Sequence, residues 1–408
     1  MRSFGGMLRF SDGLRGEKSN LKILYFMYCA SLAAWQPLLA VYFNELGISG
    51  LQIGIIMSIA PIMVFLVQPL WGVAADRWGR YRTLLFAMFL ASFVILGYAW
   101  NGGFRFFLVW AVLVAFATNP IGTLIDSLIL DHVKKRQDSS YGPFRMFGAI
   151  GWMVSAPIVG WIITGRSITL IFPISMAIML LGWLAGYLRR DKSQVKVSIK
   201  EASWGNLSQV LRNWRLIIFL TVVFFYGIGM ASITTFYGVY LSDIGASRQL
   251  MGIAFGLQGG IELPFYFFSN IFIKRFGPAK VLVFAFLIFT IRMFLYSFIS
   301  TPGLAISVEL THGLSYSLFV VAAVECVNEL VPPAWRATGQ SLYAASCFGA
   351  GTLVGNWLAG YLYDYMPLQQ VYRFNGWLLL VVTVAATVAL RNHFKKPNSE
   401  IAEVDNLT

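Results

Sequence analysis

Long apolar stretches alternate with short polar breaks from one end of the chain to the other. A helix needs about 20 mostly apolar residues to cross the hydrocarbon core of a bilayer. On that scale the pattern predicts twelve spanning helices, at about 21–43, 51–74, 83–100, 104–130, 143–164, 168–188, 215–241, 250–273, 281–300, 304–331, 338–363 and 371–391. The breaks carry turn formers, among them Gly47 to Gly50, Gly79 to Arg82, Gly102 with Gly103, and Pro332 with Pro333. The longest polar stretch, 189–214, divides the spans six and six. The expected architecture is an all-α membrane protein with two six-helix bundles, over 1–188 and 215–391. Between them lies a cytoplasmic linker over 189–214, whose end from Trp204 to Trp214 reads as a surface amphipathic helix. A cytoplasmic tail over 392–408 follows.

Composition narrows the class. Of the 408 residues 58% are hydrophobic and 12% charged, against about 25% charged in a soluble domain. That supply cannot coat a soluble surface, which excludes a soluble enzyme, a nucleic-acid binder and a disulfide scaffold. The net charge of +13 is then a matter of placement. With both termini on one side, that side holds 25 of the 31 basic residues, the opposite side holds Arg105, Arg166, Arg248 and Arg373, and Arg145 and Arg292 fall within spans. Such an asymmetry is the positive-inside signal. It predicts cytoplasmic termini in a multi-pass plasma-membrane protein, in a bacterium the inner membrane. The lipid bilayer, not nucleic acid, is the partner of these charges. The first apolar run is long enough to span, so no cleavable signal peptide is expected. Cys29, Cys326 and Cys347 all lie in spans and imply neither a disulfide nor a metal site. With three histidines and no His-Glu-x-x-His or Gly-x-Ser-x-Gly pattern, no enzymatic centre and no cofactor are expected.

Charges inside the spans are the candidate chemistry, because each costs at least about 2.5–3.5 kcal/mol to insert. They are Asp126 in span four, Arg145 at the start of span five, Glu262 in span eight, Arg292 in span nine, and Glu309, His312 and Glu325 in span ten. Glu309 and His312 are three apart and share a helix face, while Glu325 lies deeper towards the cytoplasm. A carboxylate and a guanidinium offer fixed acceptors and donors to hydroxyls or a carboxylate. Trp152 offers an apolar face to a sugar or an aromatic ring. A carboxylate in an apolar cavity binds a proton nearer neutrality than one in water, and histidine titrates in the same range.

Between spans two and three the chain reads GVAADRWGRYR, from Gly72 to Arg82. This loop resembles the signature of the major facilitator superfamily, matching at Gly72, Asp76, Arg77, Gly79, Arg80 and Arg82. The resemblance implies a two-bundle transporter working by alternating access. Gly72 is expected to permit close helix approach, Asp76 to pair with neighbouring cations and a helix end, and Gly79 to make the turn. The cluster with Arg77 and Arg80 would act as a conformational gate between the bundles. After span eight, Lys274 to Lys280 keeps Arg275 and Gly277 but lacks the acid, as a decayed repeat.

Three patches resemble the lactose permease-like oligosaccharide/proton symporters more narrowly. They are Gln68-Pro69-Leu70, the run from Arg145 to Trp152 (RMFGAIGW), and Arg292 followed twenty residues later by His312. By that resemblance Asp126, Arg145 and Trp152 bind substrate, Glu262 links substrate to proton, and Arg292 and His312 flank the proton site. Where those symporters carry an acid three residues after the histidine, this chain has Ser315, which leaves Glu309, Glu262 and Glu325 as candidate proton carriers. Asp126, Tyr141, Gly142 and Arg145 also suit the phenylpropionate permease group, and nucleoside/proton symporters are similar more loosely. The resemblance implies proton-coupled symport of a sugar or similar small polar solute by a functional monomer. An aromatic carboxylic acid or a nucleoside is the alternative substrate.

Overall fold

The computed structural model describes residues 2–135, 141–189 and 213–391. The expected tail over 392–408 and nearly all of the expected linker, including its amphipathic end, lie outside the described residues. Twelve long helices run up and down: α1 Ser19–Glu45, α2 Gly50–Trp78, α3 Arg80–Ala99, α4 Gly103–Lys135, α5 Gly142–Ile163, α6 Ile168–Leu188, α7 Trp214–Asp243, α8 Arg248–Phe276, α9 Pro278–Phe298, α10 Pro302–Leu330, α11 over 336–363 and α12 Leu368–Arg391. Trp214 opens α7, with Asn213 capping it by accepting from the Arg215 and Leu216 amides.

Ten of the twelve are long and apolar enough to cross a membrane. The other two are α8, which carries Gln258, Glu262, Lys274 and Arg275, and α11, which a π-helical stretch from Ala345 to Gly351 interrupts. Both line the central cavity, through Gln258 and Phe348 among others. Their polarity and irregular pitch belong to that wet wall, where non-ideal backbone and polar side chains are tolerated at membrane depth.

The halves repeat each other at an interval of 198 residues. Ser49 caps α2 as Ser247 caps α8. Tyr42 donates to the Tyr98 carbonyl at 2.7 Å as Tyr240 donates to that of Tyr296 at 3.1 Å, anchoring matching aromatic clusters. Gly79 and Gly277 end α2 and α8 at φ of +90° and +81°, a conformation that favours glycine. The turn therefore survives in the second half although the acid of the loop motif does not.

At the end remote from these basic turns the halves are in close contact. A methyl on Gly160 of α5 would lie 2.6 Å from the Arg248 carbonyl of α8, and one on Gly50 of α2 would lie 2.5 Å from the Gly360 carbonyl of α11. Polar contacts span the same seam. Arg248 reaches both carboxylate oxygens of Glu45 at 2.9 Å and the Arg166 carbonyl at 2.5 Å. Asp364 accepts from the amides of Gly50 and Leu51 at 2.5 and 3.0 Å, capping α2 from the other half.

The basic end differs. Asp76 and Arg77 are exposed and find no ion-pair partner among the described residues. Arg80 instead pairs within its own half with Asp131 of α4 at 2.6 Å. A methyl at Gly72 would meet no atom within 4 Å. The close approach expected there is not made in this conformation.

Candidate functional site

A cavity of about 1120 Å³ lies between the halves. It runs from Gly142 and Phe267 towards the basic end up to Gln36, Thr235 and Asn356 below the closed seam.

The wall from the first half is built on α5. Gly148 and Gly151 face α1, where a methyl on Gly148 would collide with the Tyr25 ring and one on Gly151 with the Phe26 carbonyl. Ser155 extends the same strip by donating to the Ala30 carbonyl at 2.7 Å. This contact seats Tyr25 beside Arg145, whose Nη1 lies 3.4 Å from the hydroxyls of both Tyr25 and Tyr141. Tyr141 in turn donates to Asp126 at 2.7 Å. The expected Asp126–Arg145 set is thus joined through a phenol. Arg145 lines the cavity, whereas Asp126 sits behind Tyr141, off the cavity wall. Trp152 lines the cavity and crosses the seam, its indole N–H donating to the Phe255 carbonyl of α8 at 3.1 Å.

The opposite wall holds a chain of ionisable groups from three helices. Glu309 of α10 is fully buried. One of its carboxylate oxygens accepts from Arg292 of α9 at 2.8 Å and from Gln258 of α8 at 2.9 Å, and the other accepts from the Tyr296 hydroxyl. Arg292 also donates to Ser315 at 2.7 Å and contacts His312 Nδ1 at 3.2 Å. His312 Nε2 lies 3.1 Å from Glu262. The neutral imidazole with its proton on Nε2 satisfies both of its contacts, accepting from Arg292 and donating to Glu262. The pitch of α10 changes here, with a 3₁₀ turn over Glu309–Thr311 and a π turn over Gly313–Ser317. Such irregular turns cluster at functional sites. Gly313 makes room for Phe265, bringing α8 against α10.

Of the expected proton groups, Arg292, Glu309, His312 and Glu262 converge. Glu325 stands apart, bonded to Asn328 at 3.4 Å. Gln258, Tyr25 and Tyr296 were not singled out by sequence, whereas Tyr141 was, as part of the pattern it shares with Asp126, Gly142 and Arg145. Two were within its reach by helical spacing, since Gln258 precedes Glu262 and Tyr296 follows Arg292 by four residues. Among the described residues no group of three or more His, Cys, Asp or Glu side chains could hold a metal ion.

Twelve helices in two repeated halves, shut together at one end around a polar cavity, are the architecture of a secondary transporter. A model described as the MFS_1 like family matches residues 18–374, and the chain belongs to that family, within the major facilitator superfamily. It is 30% identical over 368 residues to the maltose permease of Geobacillus stearothermophilus, covering 90% of this chain and 92% of that permease. It is 24% identical to the raffinose permease of Escherichia coli over 90% of this chain and 91% of that one. The crystal structure of the nucleoside transporter NupG superposes with a TM-score of 0.82 at 20% identity, covering 93% of this chain and 100% of that one. The protein is a multi-pass membrane transporter of a small-molecule solute, not an enzyme.

Proposed function

We propose that the protein is a proton-coupled symporter that carries a sugar or short oligosaccharide through the central cavity. The observation that carries this reading is the difference between the two walls. One presents Arg145, Tyr25 and Trp152, donors and an apolar face suited to a sugar ring. The other presents Glu262, His312 and Arg292, with Glu309 buried behind them in unbroken contact. The permeases named for maltose and raffinose support the solute class.

In this reading Glu309 is the proton carrier, and Ser315 leaves room for it by accepting from Arg292. As a carboxylate Glu309 holds Arg292; once protonated it loosens that hold. His312 lines the cavity and its Nδ1 lies 3.7 Å from Glu309. An imidazole that takes a proton on Nδ1 from Glu309 and gives one from Nε2 to Glu262 passes one proton with no change in its own charge. Asp126 acts through Tyr141 on Arg145, and Glu325 has no part in the relay. The basic end faces the cytoplasm, as the positive-inside rule favours, so the cavity opens inward. In the opposite state the α2–α3 turn, with Gly72, Asp76, Arg77, Gly79 and Arg80, latches the cytoplasmic end. A single chain encloses the cavity, which supports a functional monomer.

The test is uptake into reconstituted vesicles under an imposed pH gradient, with labelled maltose, raffinose, nucleosides and aromatic acids. A sugar should accumulate, and a protonophore should collapse the accumulation. Silence of the whole panel, in counterflow as well, would sink the proposal. One observation favours an aromatic carboxylic acid as a second reading. Arg145 contacts phenols and no carboxylate among the described residues, so its charge is available to an anionic solute. Accumulation of the acids and not the sugars would select that reading.

A further inference from the structure

We propose that Gln258 is the positioning residue that ties occupancy of the cavity to the proton on Glu309. The inference rests on the symport reading above and adds the group through which solute is sensed. Glu309 is off the cavity wall and meets Arg292 and Tyr296 from α9, Tyr237 from α7, His312 from its own helix and Gln258 from α8, with Tyr372 of α12 nearby. Arg292 and His312 line the cavity, but their polar atoms, the buried Nε of Arg292 apart, are engaged with Ser315, Tyr296, Glu309, Glu262 and each other. Gln258 also lines the cavity, and the bond to Glu309 is the single hydrogen bond of its amide among the described residues. Its second N–H and its carbonyl oxygen remain for a ligand.

The helix places that amide beside the solute. Gln258 and Glu262 lie one turn apart on α8, and they touch Glu309 and His312, one turn apart on α10. The next residue, Gly259, has no side chain because Trp152 occupies the space; a methyl there would stand 3.0 Å from the indole. A sugar resting on Trp152 therefore sits within reach of the Gln258 amide. A solute hydroxyl that draws the amide N–H away leaves Glu309 one donor short, and a carboxylate with fewer donors holds a proton more readily. Linkage makes the effect reciprocal, so a protonated Glu309 frees Gln258 for solute.

The experiment compares wild type with Gln258→Leu, of similar size but without polar atoms, in proteoliposomes with labelled maltose as probe. Three quantities are read: counterflow, accumulation driven by a pH gradient, and the pH dependence of KM in counterflow. The variant should weaken counterflow without abolishing it, lose accumulation by about tenfold more than it loses counterflow, and show a KM that no longer varies with pH. Gln258→Met carries the same test should the leucine variant not fold. Unchanged accumulation with the wild-type pH profile would overturn the role. So would parallel losses of counterflow and accumulation with that profile intact, since a merely structural residue behaves that way. If wild type counterflows but never accumulates, the symport reading falls and takes this inference with it.

Discussion

Arg292 brings five N–H donors to a largely apolar helix, α9. Four find acceptors, in Glu309, Tyr296, Ser315 and His312, while Nε has none among the described residues. A buried pair of this kind is costly to break from one side, by about 3–5 kcal/mol, and far less costly to replace whole. Glu309→Leu alone is therefore expected to lower thermal stability in detergent, and adding Arg292→Met should recover most of the loss while accumulation stays absent. Equal unfolding temperatures for the single and double variants would contradict the pairing. Glu309→Gln should keep counterflow and abolish gradient-driven accumulation. On the facing wall, Arg145→Lys keeps charge but loses the planar fork. A charge-assisted bond is worth about 1.5–3 kcal/mol, so KM in counterflow should rise at least about tenfold with the maximal rate little changed.

At the scale of helices, α5 serves packing and the cavity wall together. Gly148, Gly151 and Ser155 admit α1, while Arg145 and Trp152 on the same helix line the cavity. Gly148→Val should push Tyr25 out of place, lowering the unfolding temperature and weakening solute binding together. Gly72→Ala, with open space around it, should leave the unfolding temperature within about 1 °C of wild type. Matching shifts for the two would mean that the α1–α5 contact is not what holds Tyr25. The spans and the RMFGAIGW run were legible in the sequence, but which glycine met a neighbour was not. That depends on which face of α5 turns to α1, and one apolar helix face reads much like another.

Across the whole molecule, two chemically inverse contacts close one end. A carboxylate from α11 caps the N-terminus of α2, and a guanidinium at the start of α8 binds Glu45 and the carbonyl of Arg166 beyond the end of α5. A cap contributes about 0.5–2 kcal/mol and a partly exposed ion pair about 0–1 kcal/mol. Asp364→Ala with Arg248→Gln should then shift the equilibrium towards opening of this end by roughly five- to thirtyfold. Spin labels at Asn101→Cys and Tyr365→Cys, with the native cysteines replaced by serine, would register it as a new population at longer distance. A distance distribution identical to that of the unaltered latch would remove both contacts from the closing mechanism.

Lipid makes one part of this protein readable residue by residue. A span must be a continuous apolar helix of fixed minimum length, and a charge within it is costly enough to stand out. Twelve helices, two halves and the membrane charges Arg145, Glu262, Arg292, Glu309 and His312 follow from that alone. The partners of those charges do not. Gln258 on Glu309 and Asp364 on α2 come from helices distant in sequence, and Tyr141 joins Asp126 to Arg145 across the turn between two consecutive helices. Their meeting depends on helix rotation, on the pitch change in α10 and on which end of the bundle is shut. Only tertiary packing decides those, because the hydrophobic pattern that builds each helix carries no record of its neighbour's register.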